Sequence, residues 1–114
     1  MLLAHEFSLR LGPDDDPRAL GGAVTQALCG HWDHEGPCRW PHRTDSTACA
    51  DGSTTTRVLF RCAPRDEAEV RRRIVAAVRR GWLDGPEGRS AWTLEREQPT
   101  AVTPDEAETA PPDP

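Results

Sequence analysis

Two stretches of this chain alternate apolar and polar residues, and each leads through a proline into a stretch with helical periodicity. No other feature limits the fold as strongly. In residues 5–11, His5, Phe7, Leu9 and Leu11 share one face while Glu6, Ser8 and Arg10 share the other, the signature of a half-buried strand. In residues 57–63, Val58, Phe60 and Cys62 face one way, and Arg57, Leu59 and Arg61 the other.

The first strand runs into Gly12-Pro13 and three aspartates. Asp16 suits an N-cap and Pro17 a first helical position, so a helix is expected from 17 to about 28, with Leu20, Val24, Ala27 and Leu28 as its apolar stripe and Gly30 as its stop. Gly21 and Gly22 each weaken that helix by about 1 kcal/mol relative to alanine, a cost that close packing on a sheet would offset. The second strand ends at Pro64. A helix then runs from about 66 to 80, with Val70, Ile74, Ala77 and Val78 inward and Arg71, Arg72, Arg79 and Arg80 toward water. Glu67 with Arg71 and Glu69 with Arg73 make favourable i,i+4 pairs, and Gly81 stops the helix. Trp82 and Leu83 are expected to pack beneath the helix end. Residues 84–88 form a turn, and 90–96 form a last strand with Trp92 and Leu94 inward.

The order is strand, helix, an ambiguous piece, strand, helix, strand. If the ambiguous piece supplies a strand, the arrangement is βαββαβ. That is a ferredoxin-like α+β two-layer sandwich, a four-stranded antiparallel sheet with two helices on one face. The domain is expected to span residues 1–97. Residues 98–114 hold five of the eleven prolines, four acids and little that is apolar, so they read as a disordered acidic tail.

The formal net charge is −5, from fourteen basic and nineteen acidic residues. Four of the acids (Asp105, Glu106, Glu108 and Asp113) lie after residue 97 with no basic group among them, which leaves residues 1–97 near neutral. A general nucleic-acid binder is not expected from this balance. All the basic residues are arginine, and lysine, asparagine and tyrosine are missing, which fits a high-GC bacterial genome. No Schiff-base lysine, P-loop lysine or catalytic tyrosine exists here. The Arg71-Arg72-Arg73 run with Arg79 and Arg80 reads as a solvated helix face. The first seven residues do not make a signal peptide and no run is long enough to cross a membrane, so the expectation is a cytoplasmic protein with reduced cysteines.

One segment stands out chemically. Residues 29–42, CGHWDHEGPCRWPH, hold seven of the chain's twelve Cys, His and Trp residues. If Gly36-Pro37 makes a turn, 31–34 and 38–42 form a hairpin at a sheet edge. Trp32, His34, Cys38, Trp40 and His42 then share a face. Zinc takes four nitrogen or sulfur ligands in a tetrahedron. The expected set is Cys29, His34, Cys38 and His42, with His31 as substitute and Trp32 and Trp40 shielding the site from water. The functional expectation is therefore a small cytosolic domain that binds a transition metal, zinc foremost, with a structural or regulatory role.

Two other classes compete. One is a small-molecule enzyme that uses the histidine cluster for acid–base chemistry in a Trp-lined pocket. The other is a metal-free adaptor that docks a protein partner on the Trp-rich edge. A homodimer through the sheet is the oligomeric expectation.

Overall fold

A computed structural model describes residues 1–29, 39–86 and 88–111. The elements in chain order are β1 (Leu2–Leu11), α1 (Arg18–Cys29), β2 (His42–Ala48), β3 (Thr54–Arg61), a 3-10 turn (Pro64–Asp66), α2 (Glu67–Arg79), β4 (Trp82–Gly85), β5 (Gly88–Thr100) and α3 (Pro104–Glu108). The strands make one antiparallel sheet in the order β2-β3-β1-β5-β4, curled into a half-barrel.

The alternation in β1 and β3 does what the pattern implies. Phe7, Leu9, Val58 and Phe60 are fully buried on the concave face. They pack with Leu20, Val24 and Leu28 of α1 and Val70, Ile74 and Val78 of α2. Asp16 caps α1 through its carboxylate, which accepts from the Arg18 amide at 2.9 Å. In α2 the expected pairs form, Arg71 to Glu67 at 2.8 Å and Arg73 to Glu69 at 2.9 Å. Asp66 occupies the N-cap position of α2 without a side-chain cap bond. Gly81 ends the helix with φ +86°, a backbone state that glycine adopts without strain.

The four-stranded ferredoxin-like expectation is overturned, because the sheet has five strands. Trp82 and Leu83 do not stop beneath the helix end. They open β4, which pairs Trp82 with Ala91 and Leu83 with Ser90 in a hairpin with the start of β5. The strand ahead of β3 is also displaced: it begins at His42 and runs through the polar residues to Ala48. These residues lack an apolar alternation because β2 lies at the sheet edge and its last four residues are exposed.

Within residues 98–108 regular elements stand where a disordered tail was expected. β5 continues to Thr100, and residues 104–108 form α3 on the sheet face away from α1 and α2. Partners from β2 and β3 supply the order that the segment's own composition lacks.

Between β1 and β5 the register shifts at Ser8/Leu9, with Ser8 opposite Arg96 and Leu9 opposite Leu94, so Glu95 has no partner in the ladder. Such a bulge turns the side chains beyond it to the other face. Trp92 and Leu94 point into the core, and past the bulge it is Glu97, opposite Phe7, that turns to the helix side. Among the described residues no helix is long and apolar enough to cross a membrane.

Candidate functional site

The residues expected to bind metal divide into two groups. His31, Trp32, His34 and Cys38, and the hairpin expected to hold them, lie outside the described residues. Cys29 ends α1 and is disulfide-bonded, whereas Cys49 and Cys62, the other described cysteines, are free thiols. A cysteine in a disulfide is not a thiolate, so Cys29 could ligate a metal only after reduction.

His42 opens β2 opposite Phe60. Its Nδ1 lies 3.0 Å from the Trp40 carbonyl oxygen, which can only accept, so Nδ1 carries the proton. Nε2 is then the acceptor for the Thr25 hydroxyl, also at 3.0 Å. His42 thus ties α1 to the sheet edge, and both ring nitrogens are engaged. Trp40 is 2% exposed and belongs to the core, with the Arg39 and Arg73 guanidiniums 4.4 and 4.9 Å from its ring centroid. Among the described residues no group of three or more His, Cys, Asp or Glu side chains is placed to hold a metal ion.

Among the described residues His5 is the buried histidine, whereas His42 is half-buried. Its Nδ1 accepts from Arg71 at 2.9 Å, and its Nε2–H donates to Glu97. Arg71 extends the chain to Glu67 and to the Ala4 carbonyl. Burial lowers the His5 pKa. The Glu97 carboxylate opposes this through its hydrogen bond and charge, and the Arg71 charge reinforces it. His5 therefore acts as a neutral connector between β1, β5 and α2. Both of its nitrogens are satisfied and it is 3% exposed, so it is closed to substrate.

An open concave surface lies elsewhere, between α1 and α2. It is a groove of about 570 Å³. Ala23 and Ala27 of α1 and Ala76 and Ala77 of α2 keep it shallow, because side chains this small leave the two helix surfaces unfilled. Gln26, Arg72, Arg73 and Arg80 supply its polar rim, and Trp82 and Leu83 close one end.

The Trp82 ring is sandwiched between two guanidiniums, Arg80 at 3.7 Å and Arg89 at 3.9 Å from the centroid. Arg89 is also held by Asp84, at 2.7 and 3.2 Å. Arg80 has no carboxylate within 4.0 Å among the described residues, and neither has Arg79. Arg72 reaches Glu69 only at 4.0 Å, with its side chain 71% exposed.

A guanidinium stacked on an indole keeps its in-plane N–H donors available while its plane is fixed. Arg80 is thus oriented in advance for a carboxylate or phosphate, with Arg72 and Arg73 both about two helical turns back along α2. Arg72, Arg79 and Arg80 are exposed, as a solvated helix face implies, but that reading does not foresee the groove beside them. The signal that could have exposed it is the run Arg79-Arg80-Gly81-Trp82, which sets a flat ring beside the last turn of an arginine-rich helix, facing the alanines of the other helix.

No family model matches the chain, and neither the curated proteins nor the solved structures include a significant match.

Proposed function

We propose that this chain is a non-catalytic recognition module that takes a carboxylate- or phosphate-bearing partner in the groove between α1 and α2. The observation that carries the reading is Arg80. It is stacked on Trp82, has no carboxylate within 4.0 Å among the described residues, and lines the same alanine-floored groove as Arg72 and Arg73. Planar, charge-assisted, two-pronged hydrogen bonding to an anion is the chemistry this arrangement favours. Among the described residues the groove lining holds no nucleophile and no general base, which supports binding rather than turnover.

The test is an NMR titration at low ionic strength with inorganic phosphate and, separately, a hexaglutamate peptide, following the Trp82 indole N–H and the arginine Nε signals. Saturable shifts at Trp82, Arg80 and Arg72 are expected with at least one probe. Arg80→Gln should weaken binding by about tenfold, the loss of roughly one charge-assisted hydrogen bond. Unshifted Trp82 and Arg80 signals with both probes, or unchanged affinity in Arg80→Gln, would end the proposal.

The Cys and His density of residues 29–42 motivates a second proposal, a zinc site formed by Cys29, His34, Cys38 and His42 with His31 as substitute. It requires a reduced Cys29 and a His42 freed from Thr25. Protein purified without a histidine tag under reducing conditions should then carry about one zinc per chain, and EDTA should lower its Tm. Metal-free protein with a Tm indifferent to EDTA rules this out.

A further inference from the structure

The sheet face opposite the groove holds a separate feature. Ala4 and Leu59 are partners across the β1–β3 ladder, and both are fully buried. Yet they point away from α1 and α2, since their neighbours Leu3, Val58 and Phe60 pack on the helix side. Three arginines on the same outer face surround Leu59: Arg57 and Arg61 two residues to either side along β3, and Arg43 directly opposite on β2.

Each of the three holds the C-terminal segment. Arg57 binds both Glu106 carboxylate oxygens at 2.8 Å and the Ala101 carbonyl at 2.9 Å. Arg43 donates to the Thr109 hydroxyl at 2.8 Å, and Arg61 to the Pro111 carbonyl at 2.6 Å. Residues 101–111 therefore lie across Leu59 and Ala4. Within the segment, Thr103 and Glu106 form a reciprocal capping box at the start of α3.

The attachment is almost wholly polar. Among the described residues no strand ladder continues beyond Thr100. Most of the segment is exposed, and only Val102, Glu106, Ala110 and Pro111 are half-buried. A segment with so little buried apolar surface opens at lower free energy than the sheet beneath it.

We infer that residues 101–111 are a detachable strap, a ligand bound in cis, and that the outer sheet face they cover is a peptide-binding seat for an acidic segment with a capped helical turn. Leu59 and Ala4 form its apolar floor, and Arg43, Arg57 and Arg61 read the backbone carbonyls and the single carboxylate. A trans peptide of the strap's own chemistry competes for the same three arginines once the strap lifts. This seat is independent of the groove between α1 and α2, and either can fail without the other.

Amide hydrogen exchange on the full chain tests the inference. The Glu106, Ala107 and Thr109 amides, bonded within the strap, should exchange at least about tenfold faster than the β1–β3 amides. Glu106→Gln or 0.5 M NaCl should speed the strap further and leave β1–β3 protection unchanged. A spin-labelled peptide of residues 101–111, added at millimolar concentration to full-length Glu106→Gln, should broaden the Leu59 and Ala4 signals. Adding Arg57→Gln should abolish that broadening. If Glu106→Gln does not fold, Arg43→Gln, which removes only the Thr109 and Asp45 contacts, takes its place. Strap and β1–β3 amides exchanging at one common rate would overturn the inference. So would a peptide that leaves Leu59 sharp, or binding indifferent to Arg57→Gln.

Discussion

Removing the charge of Glu106 should cost stability at neutral pH and cost little in acid. The Arg57 hydrogen bonds, foremost, hold the Glu106 carboxyl at about 2, against 4.5 for an unperturbed glutamate; burial pushes the other way, and the Thr103 amide adds to the lowering. At about 1.36 kcal/mol per pK unit, the whole difference would be worth about 3 kcal/mol. The pair lies on the outer face of the sheet with both side chains partly open to solvent, which screens it, so about 1–2 kcal/mol is the expected contribution.

A depressed carboxyl pKa stabilises the fold fully above the unfolded value, and the stabilisation is lost as pH falls through the folded one. The window is therefore from 4.5 down to about 2. Glu106→Gln keeps the side-chain oxygen that accepts from the Thr103 amide but removes the charge, and Arg57 retains Glu6 at 2.6 Å. Urea denaturation of wild type and Glu106→Gln at pH 7 should differ by about 1–2 kcal/mol, and at pH 2.5 by less than half of that. An equal difference at the two pH values, or none at pH 7, refutes the electrostatic account of how the strap is held.

Two further outcomes rest on other residues. Gly21→Ala should raise stability by about 0.5–1 kcal/mol, measured as a higher Tm, because the added Cβ would meet Thr44 Cβ at 3.6 Å, an ordinary contact; a lower Tm would mean that this part of α1 must approach β2 more closely than the structure shows. His5 is held neutral chiefly by burial, so the stability it contributes is complete above pH 6.5 and declines as pH falls below that value; histidine NMR should show its ring titrating below a free imidazole, and a ring that titrates at or above 6.5 refutes the assignment.

How much of this was legible in the sequence depended on the range of the forces involved. The alternation of residues 5–11, the Asp16-Pro17 helix start and the Glu67–Arg71 and Glu69–Arg73 pairs are all properties of neighbours, and each appears in the structure. The bulge at Glu95 was not legible. It depends on a register between strands some eighty residues apart, and it decides that Glu97 reaches His5. Trp82 and Leu83 are too short a run to announce a strand, and they become one because residues 88–91 lie beside them. The ring-rich segment drew attention by its composition, but Trp40 and His42 are used in the core and at the α1–β2 contact. The groove arginines Arg72 and Arg80 are solvent-exposed, as their sequence spacing implies, and only the packing of α1 against α2 sets the alanines opposite them.

By itself, then, the sequence determined two amphipathic helices and the two alternating strands that face them, because periodicity and caps act within a few residues. Tertiary structure alone decided the fifth strand, the groove between the helices and the strap. The strap is the clearest case. Residues 101–111 have neither the apolar content nor the length to order themselves, and they are ordered because Arg43, Arg57 and Arg61, brought together by the β2–β3 ladder, place their N–H donors where the strap's carbonyls and Glu106 can accept them.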